Sequence, residues 1–233
     1  LMNLATSLAL YMRPSETDER NPAAILFEDI ENRFGEELTQ LSVKRNAILC
    51  NQGTRANSLF LIKQGEIWLT RLSSDGRETL ISILGPNEFF GESSLLCGSA
   101  VTFSARATKR SSILLLPERK FKLLLEDPRV CRVLLETIAR RCNDAWTQME
   151  LLGCTHVRDK VRSGLIWLSG RFGVETRDGV RIDLNQTQLA RMVGCARETL
   201  SREVSELRRV RAIKLRQTNG RKSFYVVKPE ELG

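Results

Sequence analysis

Seven residues between 131 and 152 set the first constraint on this chain. Cys131, Leu135, Ile138, Cys142, Ala145, Met149 and Leu152 recur at alternating steps of four and three. That interval is the a/d pattern of helices packing along a common seam, sustained here for three heptads. Asp127 is placed to cap such a helix, Pro128 suits its first turn, and Gly153 ends it. The stripe has two outlets. It can face the core of its own domain, or the same stripe on a second copy in a parallel homodimer.

The remaining 200 or so positions fall on either side of this helix, so a chain of 233 residues has room for two cores. Charge divides them unequally. Residues 157–233 hold 17 Lys and Arg against 9 Asp and Glu, which leaves residues 1–156 balanced at 19 each. The whole formal excess of +8 therefore lies in the last third. A neutral sensor joined to a polyanion-binding module has this distribution. Membrane-surface binding would need a strongly apolar basic helix, which is not seen. No apolar run approaches the roughly 18 residues of a membrane span. Leu4–Met12 lacks the preceding basic residues of a secretory signal, so a cytoplasmic location is expected.

Six cysteines, Cys50, Cys97, Cys131, Cys142, Cys154 and Cys195, are separated by 47, 34, 11, 12 and 41 residues. Without a CxxC pair, no zinc or iron–sulfur site is expected; buried small hydrophobes or a redox-active thiol remain as readings. The single histidine, His156, suggests no haem partner. With no Ser/His pair, P-loop or metal-ligand cluster, no enzyme activity and no catalytic residue are expected.

Residues 23–41, with Ile25, Ile30, Phe34, Leu38 and Leu41, read as one or two short helices. From Ala47 to Pro117, runs such as "NAILC", "SLFLI", "EIWLTRL", "TLISIL" and "SILLLP" alternate with turn signals and predict a β-sandwich or roll. "SSDGRE" predicts a hairpin turn. Beyond the long helix, Arg158–Phe172 predicts a further amphipathic helix and "VRIDL" a short strand. Asn185 with Gln188 forms a capping-box start for a helix over Gln186–Val193. Gly194 breaks it, and a second helix begins near Arg197. This is the helix-turn-helix pattern. "AIKLRQ", "TNGRK" and "SFYVVK" then predict the hairpin of a wing.

On a helical wheel with Arg197 at zero, Ser201, Glu198 and Arg202 fall at about 40°, 100° and 140°, while Leu207, Leu200 and Val204 fall at about 280°, 300° and 340°. One side can dock on the preceding helix. The other is a polar arc of two arginines and a carboxylate. A solvated face is one reading of it. The other is base recognition: an Arg fork fits the two acceptors of guanine, and a carboxylate accepts from the cytosine amino group. A Glu would be repelled by phosphates, so its presence argues for a base contact. Lys214, Arg216, Arg221 and Lys222 on the hairpin, with Thr187 and Thr199 on the two helices, are expected at phosphates.

Two segments carry a resemblance to a known family. "FFGESSLL" resembles the Phe-x-Gly-Glu turn, and "VGCARETLSR" the recognition segment, of the CRP/FNR family of bacterial transcription regulators. The resemblance extends from about Ile25 to Val227. It implies an α+β chain: a cyclic-nucleotide-binding-like β-roll over 20–126, a dimerisation helix over 127–153, and a winged helix-turn-helix over 154–233. It further implies a homodimer on an inverted repeat of TGTGA-like half-sites, base contacts from Arg197, Glu198, Ser201 and Arg202, and RNA polymerase as a partner. The pairing residues would be Leu135, Ile138, Cys142, Ala145, Met149 and Leu152. Members that bind cAMP carry an Arg-Ser pair after the Gly-Glu turn. Here Val101-Thr102 takes that place, Arg106 comes later, on the strand expected to follow, and Ala145 and Trp146 replace the polar pair that meets the adenine. The expectation is therefore an effector other than cAMP, in a pocket bounded by Gly91, Glu92, Ser93, Val101, Thr102 and Trp146, or a closed pocket. Haem is not expected without a roll histidine, nor an iron–sulfur cluster when the first cysteine is Cys50. A thiol switch through Cys97, Cys142 or Cys195, or a cyclic-nucleotide-binding module controlling an enzyme, are the rival readings.

Overall fold

The computed structural model describes residues 22–76, 78–218, 221–226 and 232. Leu4–Met12 and the Asn219-Gly220 turn of the wing lie outside the described residues. The chain divides into two compact units between Cys142 and Asn143, a position inside the long helix.

The first unit opens with α1 (Pro22–Phe34), which buries Leu26, Phe27, Ile30 and Phe34 at helical spacing. Helix does not continue to Leu41 as the apolar spacing predicted. After a 3-10 turn at Gly35–Glu37 the chain becomes the strand β1 (Thr39–Val43). The three-residue step from Leu38 to Leu41 imitates a helix, but Leu41 and Val43 alternate with polar neighbours, and both pack on the core between the sheets.

The five predicted runs are strands β2 (Ile48–Cys50), β3 (Ser58–Gln64), β4 (Ile67–Leu72), β5 (Glu78–Leu84) and β8 (Ser111–Pro117). Two further short strands, β6 (Phe89–Phe90) and β7 (Ser104–Ala107), complete the set, with α2 (Glu92–Cys97) between them. They form two four-stranded antiparallel sheets, ordered β1-β8-β3-β6 and β2-β7-β4-β5. The predicted hairpin turn joins β4 to β5, with Gly76 at φ +80°.

Side-chain alternation explains why "SLFLI" and "SILLLP" are almost wholly apolar. On β3 and β8, Leu59, Leu61, Leu114 and Leu116 face a helical layer of α1, α3 (Glu118–Leu124) and the start of the long helix. Ile62 and Ile113 face the opposite core between the sheets, where Phe60 stacks on Phe90 at 4.5 Å between centroids. This sheet is buried on both faces.

The long helix α4 spans Pro128–Gly153. The Arg129 N–H donates to Asp127 Oδ1 at 2.9 Å, which satisfies one of the orphan donors at its N-terminus. Val130, Leu134, Thr137, Gln148 and Leu151 are buried by the chain itself. Leu135 and Met149 are 67% and 68% exposed, Cys142, Ala145 and Leu152 are also exposed, and Ile138 is half-buried. The helix thus has a second stripe, the heptad one, whose Leu135, Cys142, Ala145 and Met149 are left exposed while Cys131 and Ile138 are half-buried.

In the second unit α5 (Val157–Phe172) begins one residue before Arg158 and buries Val161, Leu165 and Leu168. Strands β9 (Val174–Thr176) and β10 (Gly179–Ile182), helices α6 (Gln186–Val193) and α7 (Arg197–Arg209), and strands β11 (Ile213–Thr218) and β12 (Arg221–Val226) follow. The sheet order is β11-β12-β10-β9. Of these only β9 was not anticipated.

Candidate nucleic-acid interface

The helix-turn-helix is fixed by local chemistry at each end of α6. At its start, Gln188 N–H donates to Asn185 Oδ1 at 2.9 Å and Asn185 N–H donates to Gln188 Oε1 at 2.5 Å, a reciprocal capping box. At its end Gly194 adopts φ +65°, and Cys195 N–H donates back to Ala190 O at 3.1 Å. A Cβ at Gly194 would stand 2.4 Å from Leu152 Cδ2, so the turn and the last residue of the heptad stripe lie in contact. Asn185→Ala is expected to cost about 1 kcal/mol of stability by exposing the helix start. Thermal melts of the variant check this, and an unchanged midpoint would show the box to be dispensable.

Helix α7 turns Leu200, Val204 and Leu207 inward, each nearly inaccessible, against the same core as Leu189, Met192 and Val193. This docking sets the rotation of the helix. It leaves Arg197, Glu198 and Arg202 exposed and Ser201 half-buried along one side of an open groove of about 710 Å³. Gln186 and Glu203 also line that groove, and sequence reasoning had not singled them out. Arg197, Glu198 and Arg202 make no side-chain hydrogen bond or ion pair among the described residues. Their five-donor forks and carboxylate are turned to the groove without internal partners.

The remaining basic residues are not all equivalent. Thr187 is exposed in the first turn of α6 and Thr199 half-buried in that of α7. Lys214 and Arg216, two apart on β11, emerge on one sheet face. Both are drawn to Asp178 in the β9–β10 turn: Arg216 Nη1 and Nη2 lie 2.5 Å and 3.0 Å from its two oxygens, and Lys214 Nζ lies 3.8 Å from one. Arg221 and Lys222 are on β12 opposite Thr218 and Gln217, and their side chains lie outside the described residues.

The residues expected around the effector pocket are arranged differently from a phosphate cradle. Gly91 has φ +97°, and a Cβ there would stand 2.9 Å from Ser58 O, so this turn needs glycine. Glu92 is buried; its Oε1 accepts from Arg141 Nη1, and its Oε2 is buried without a hydrogen-bond partner among the described residues. Arg141 also donates to Phe89 O, and its guanidinium lies 5.1 Å from the centroid of the Phe89 ring. Sequence reasoning had passed over Arg141. Ser93 and Thr102 are exposed, and Val101 is buried. Trp146, 63% exposed, belongs to the other unit, so the six residues are not brought together within one unit.

Among the cysteines, burial pushes the Cys50 thiol up to about 11 and also raises that of Cys195, which disfavours the thiolate at either. Cys97 and Cys142 are exposed. No cluster of three metal-ligating side chains occurs among the described residues.

Comparison with known proteins converges with this geometry. Residues 40–127 match the cyclic nucleotide-binding domain and residues 159–233 the Crp-like helix-turn-helix domain. The cyclic AMP receptor protein of Thermus thermophilus is 32% identical over 157 residues, covering 67% of this chain and 70% of that protein. The chain belongs to the CRP/FNR family. A Mycobacterium tuberculosis relative, named a CRP-like cAMP-activated global transcriptional regulator, is 27% identical over 196 residues, covering 81% of this chain and 88% of its own length. The structure of a CooA variant from Carboxydothermus hydrogenoformans shares the fold, with a TM-score of 0.73 at 19% identity over 95% of this chain and 97% of that one.

Membership of the CRP/FNR family makes this chain a DNA-binding transcription regulator and not an enzyme. No helix among the described residues is long and apolar enough to cross a membrane. The family's first module implies a cyclic nucleotide, but the residues here do not fit its phosphate. Residues 93–105 contain no basic side chain, and Arg106 is exposed on β7. The backbone of Val101 is already engaged, its N–H donating to Thr54 O at 2.8 Å and its carbonyl accepting from Gly53 N–H at 2.9 Å. A cyclic phosphate held there would lack a guanidinium from residues 93–105 and could not take the Val101 N–H.

Proposed function

We propose that this CRP/FNR regulator works as a homodimer on an inverted repeat with TGTGA-like half-sites. Arg197, Glu198, Ser201 and Arg202 read base edges from the major groove, and Thr187, Thr199, Lys214, Arg216, Arg221 and Lys222 contact phosphates. The observation that carries the reading is the exposed Arg-Glu-Arg arc of α7, which has no internal partners among the described residues and lies in the third of the chain that holds all the excess positive charge. A carboxylate on a phosphate-facing surface would weaken binding to every sequence. On a base-facing surface it selects among them. Pairing through the heptad stripe of α4 would set the two recognition helices about 34 Å apart, one turn of the double helix. The protein acts in the cytoplasm, RNA polymerase is its further partner, and its effector, where one is used, is a small molecule other than cAMP.

Selection from a random duplex pool tests this directly and should return a palindromic motif. Glu198→Ala is expected to relax discrimination at one position of each half-site by about 1–3 kcal/mol. Lys222→Ala should weaken all sequences alike and lower the salt slope by about one. Equal strengthening of every sequence by Glu198→Ala would reduce Glu198 to a bystander, and a pool yielding no palindrome would remove the dimeric reading.

A further inference from the structure

We infer that Asp178 is a built-in competitor of the DNA backbone for the wing, holding Arg216 in a pair that a phosphate must displace. The inference rests on the reading of Arg216 as a phosphate contact. Its basis is geometric. Asp178 belongs to the β9–β10 turn, which Gly179 makes possible at φ +110°, and Thr176 Oγ1 donates to Gly179 O across that turn at 2.5 Å. The turn places the Asp178 carboxylate against the outward face of β11, two strands away in the sheet, where it takes Arg216 in the same two-pronged geometry a phosphate offers. Lys214, on the same face, completes a two-cation grip on one anion.

The pair is half-exposed on both sides, so it is weak enough to exchange. A buried pair would lock the wing; without the pair, neither Lys214 nor Arg216 would be held on this carboxylate. Between these limits, Asp178 lowers affinity for all sequences without touching a base. Once displaced, its carboxylate also stands beside the incoming phosphate and repels it. Removing its charge is expected to strengthen DNA binding, in contrast to removal of any cation around it.

Binding of a short duplex of scrambled sequence, followed across a salt series, separates the possibilities. Asp178→Asn should tighten binding roughly three- to tenfold at low salt. Arg216→Ala should weaken it and lower the salt slope by about one. In a background carrying both Arg216→Ala and Lys214→Ala, Asp178→Asn should gain no more than Glu175→Gln, the same charge change at an exposed position on the same hairpin. Should Asp178→Asn weaken binding or leave it unchanged while Arg216→Ala weakens it, Asp178 braces Arg216 for phosphate and the inference fails. It fails equally if Glu175→Gln alone matches Asp178→Asn. If Arg216→Ala changes neither affinity nor slope, the phosphate reading of Arg216 fails first and takes the inference with it. Each variant alters side chains exposed or half-exposed at the surface, and a melting curve confirms that it folds.

Discussion

Leu135→Glu together with Met149→Glu is expected to leave a folded chain whose affinity for the proposed inverted repeat falls by about 10²–10⁴-fold. Both side chains are more than half exposed in the single chain, so their loss removes nothing from its core. In a pair they would sit in the seam, where four carboxylates per dimer would face one another without water. The DNA contacts themselves are untouched. What should disappear is the effective concentration that, in the proposed dimer, the first bound half lends the second. Sedimentation should show a monomer, and binding to a full site should drop to that of a half-site. A variant that remained dimeric with undiminished full-site affinity would assign the seam to some other purpose.

The second large effect is expected at Arg141. Arg141→Ala should destabilise the roll-bearing unit by about 3 kcal/mol, the lower part of the range for breaking a buried ion pair. Glu92 is buried, and Arg141 is its partner among the described residues; the same guanidinium also donates to Phe89 O. Truncation strands a carboxylate where water is scarce, on top of the lost contact with the Phe89 ring. Pairing the change with Glu92→Gln should restore much of the loss, since the stranded charge and not the missing contact dominates. Urea titration reads both effects. A loss under about 1 kcal/mol in the single variant would mean that water reaches Glu92 freely.

The contrast between these residues explains which features the amino-acid order alone makes legible. The apolar heptad stripe and the exposed Arg197–Arg202 arc were legible because a helix repeats every 3.6 residues, so that one stretch of sequence contains the whole face. The runs of β3 and β8 were legible because both faces of their sheet are buried. Leu38 and Leu41 misled because two apolar residues three apart fit a helix, and only Gly35 and the alternation after it show the change of period. Strand β7 was expected only as the strand that carries Arg106, with no run of its own to bound it, since Ala105 and Ala107 carry little strand propensity; small side chains occupy the buried positions between the sheets. Arg141 and Asp178 were beyond reach for another reason. Their partners lie 49 and 38 residues away, and nothing local distinguishes them from solvated charges.

The contact between Leu152 and Gly194 bears on how a signal could travel. A leucine at the foot of the stalk rests directly on the turn that joins the two helices of the reading head. In the proposed pair, a rotation of the stalk by a fraction of a turn would lift or seat that leucine in each copy and tilt its reading head, so control need not deform the head itself. Tuning such a lever would take only a change in the bulk of one side chain.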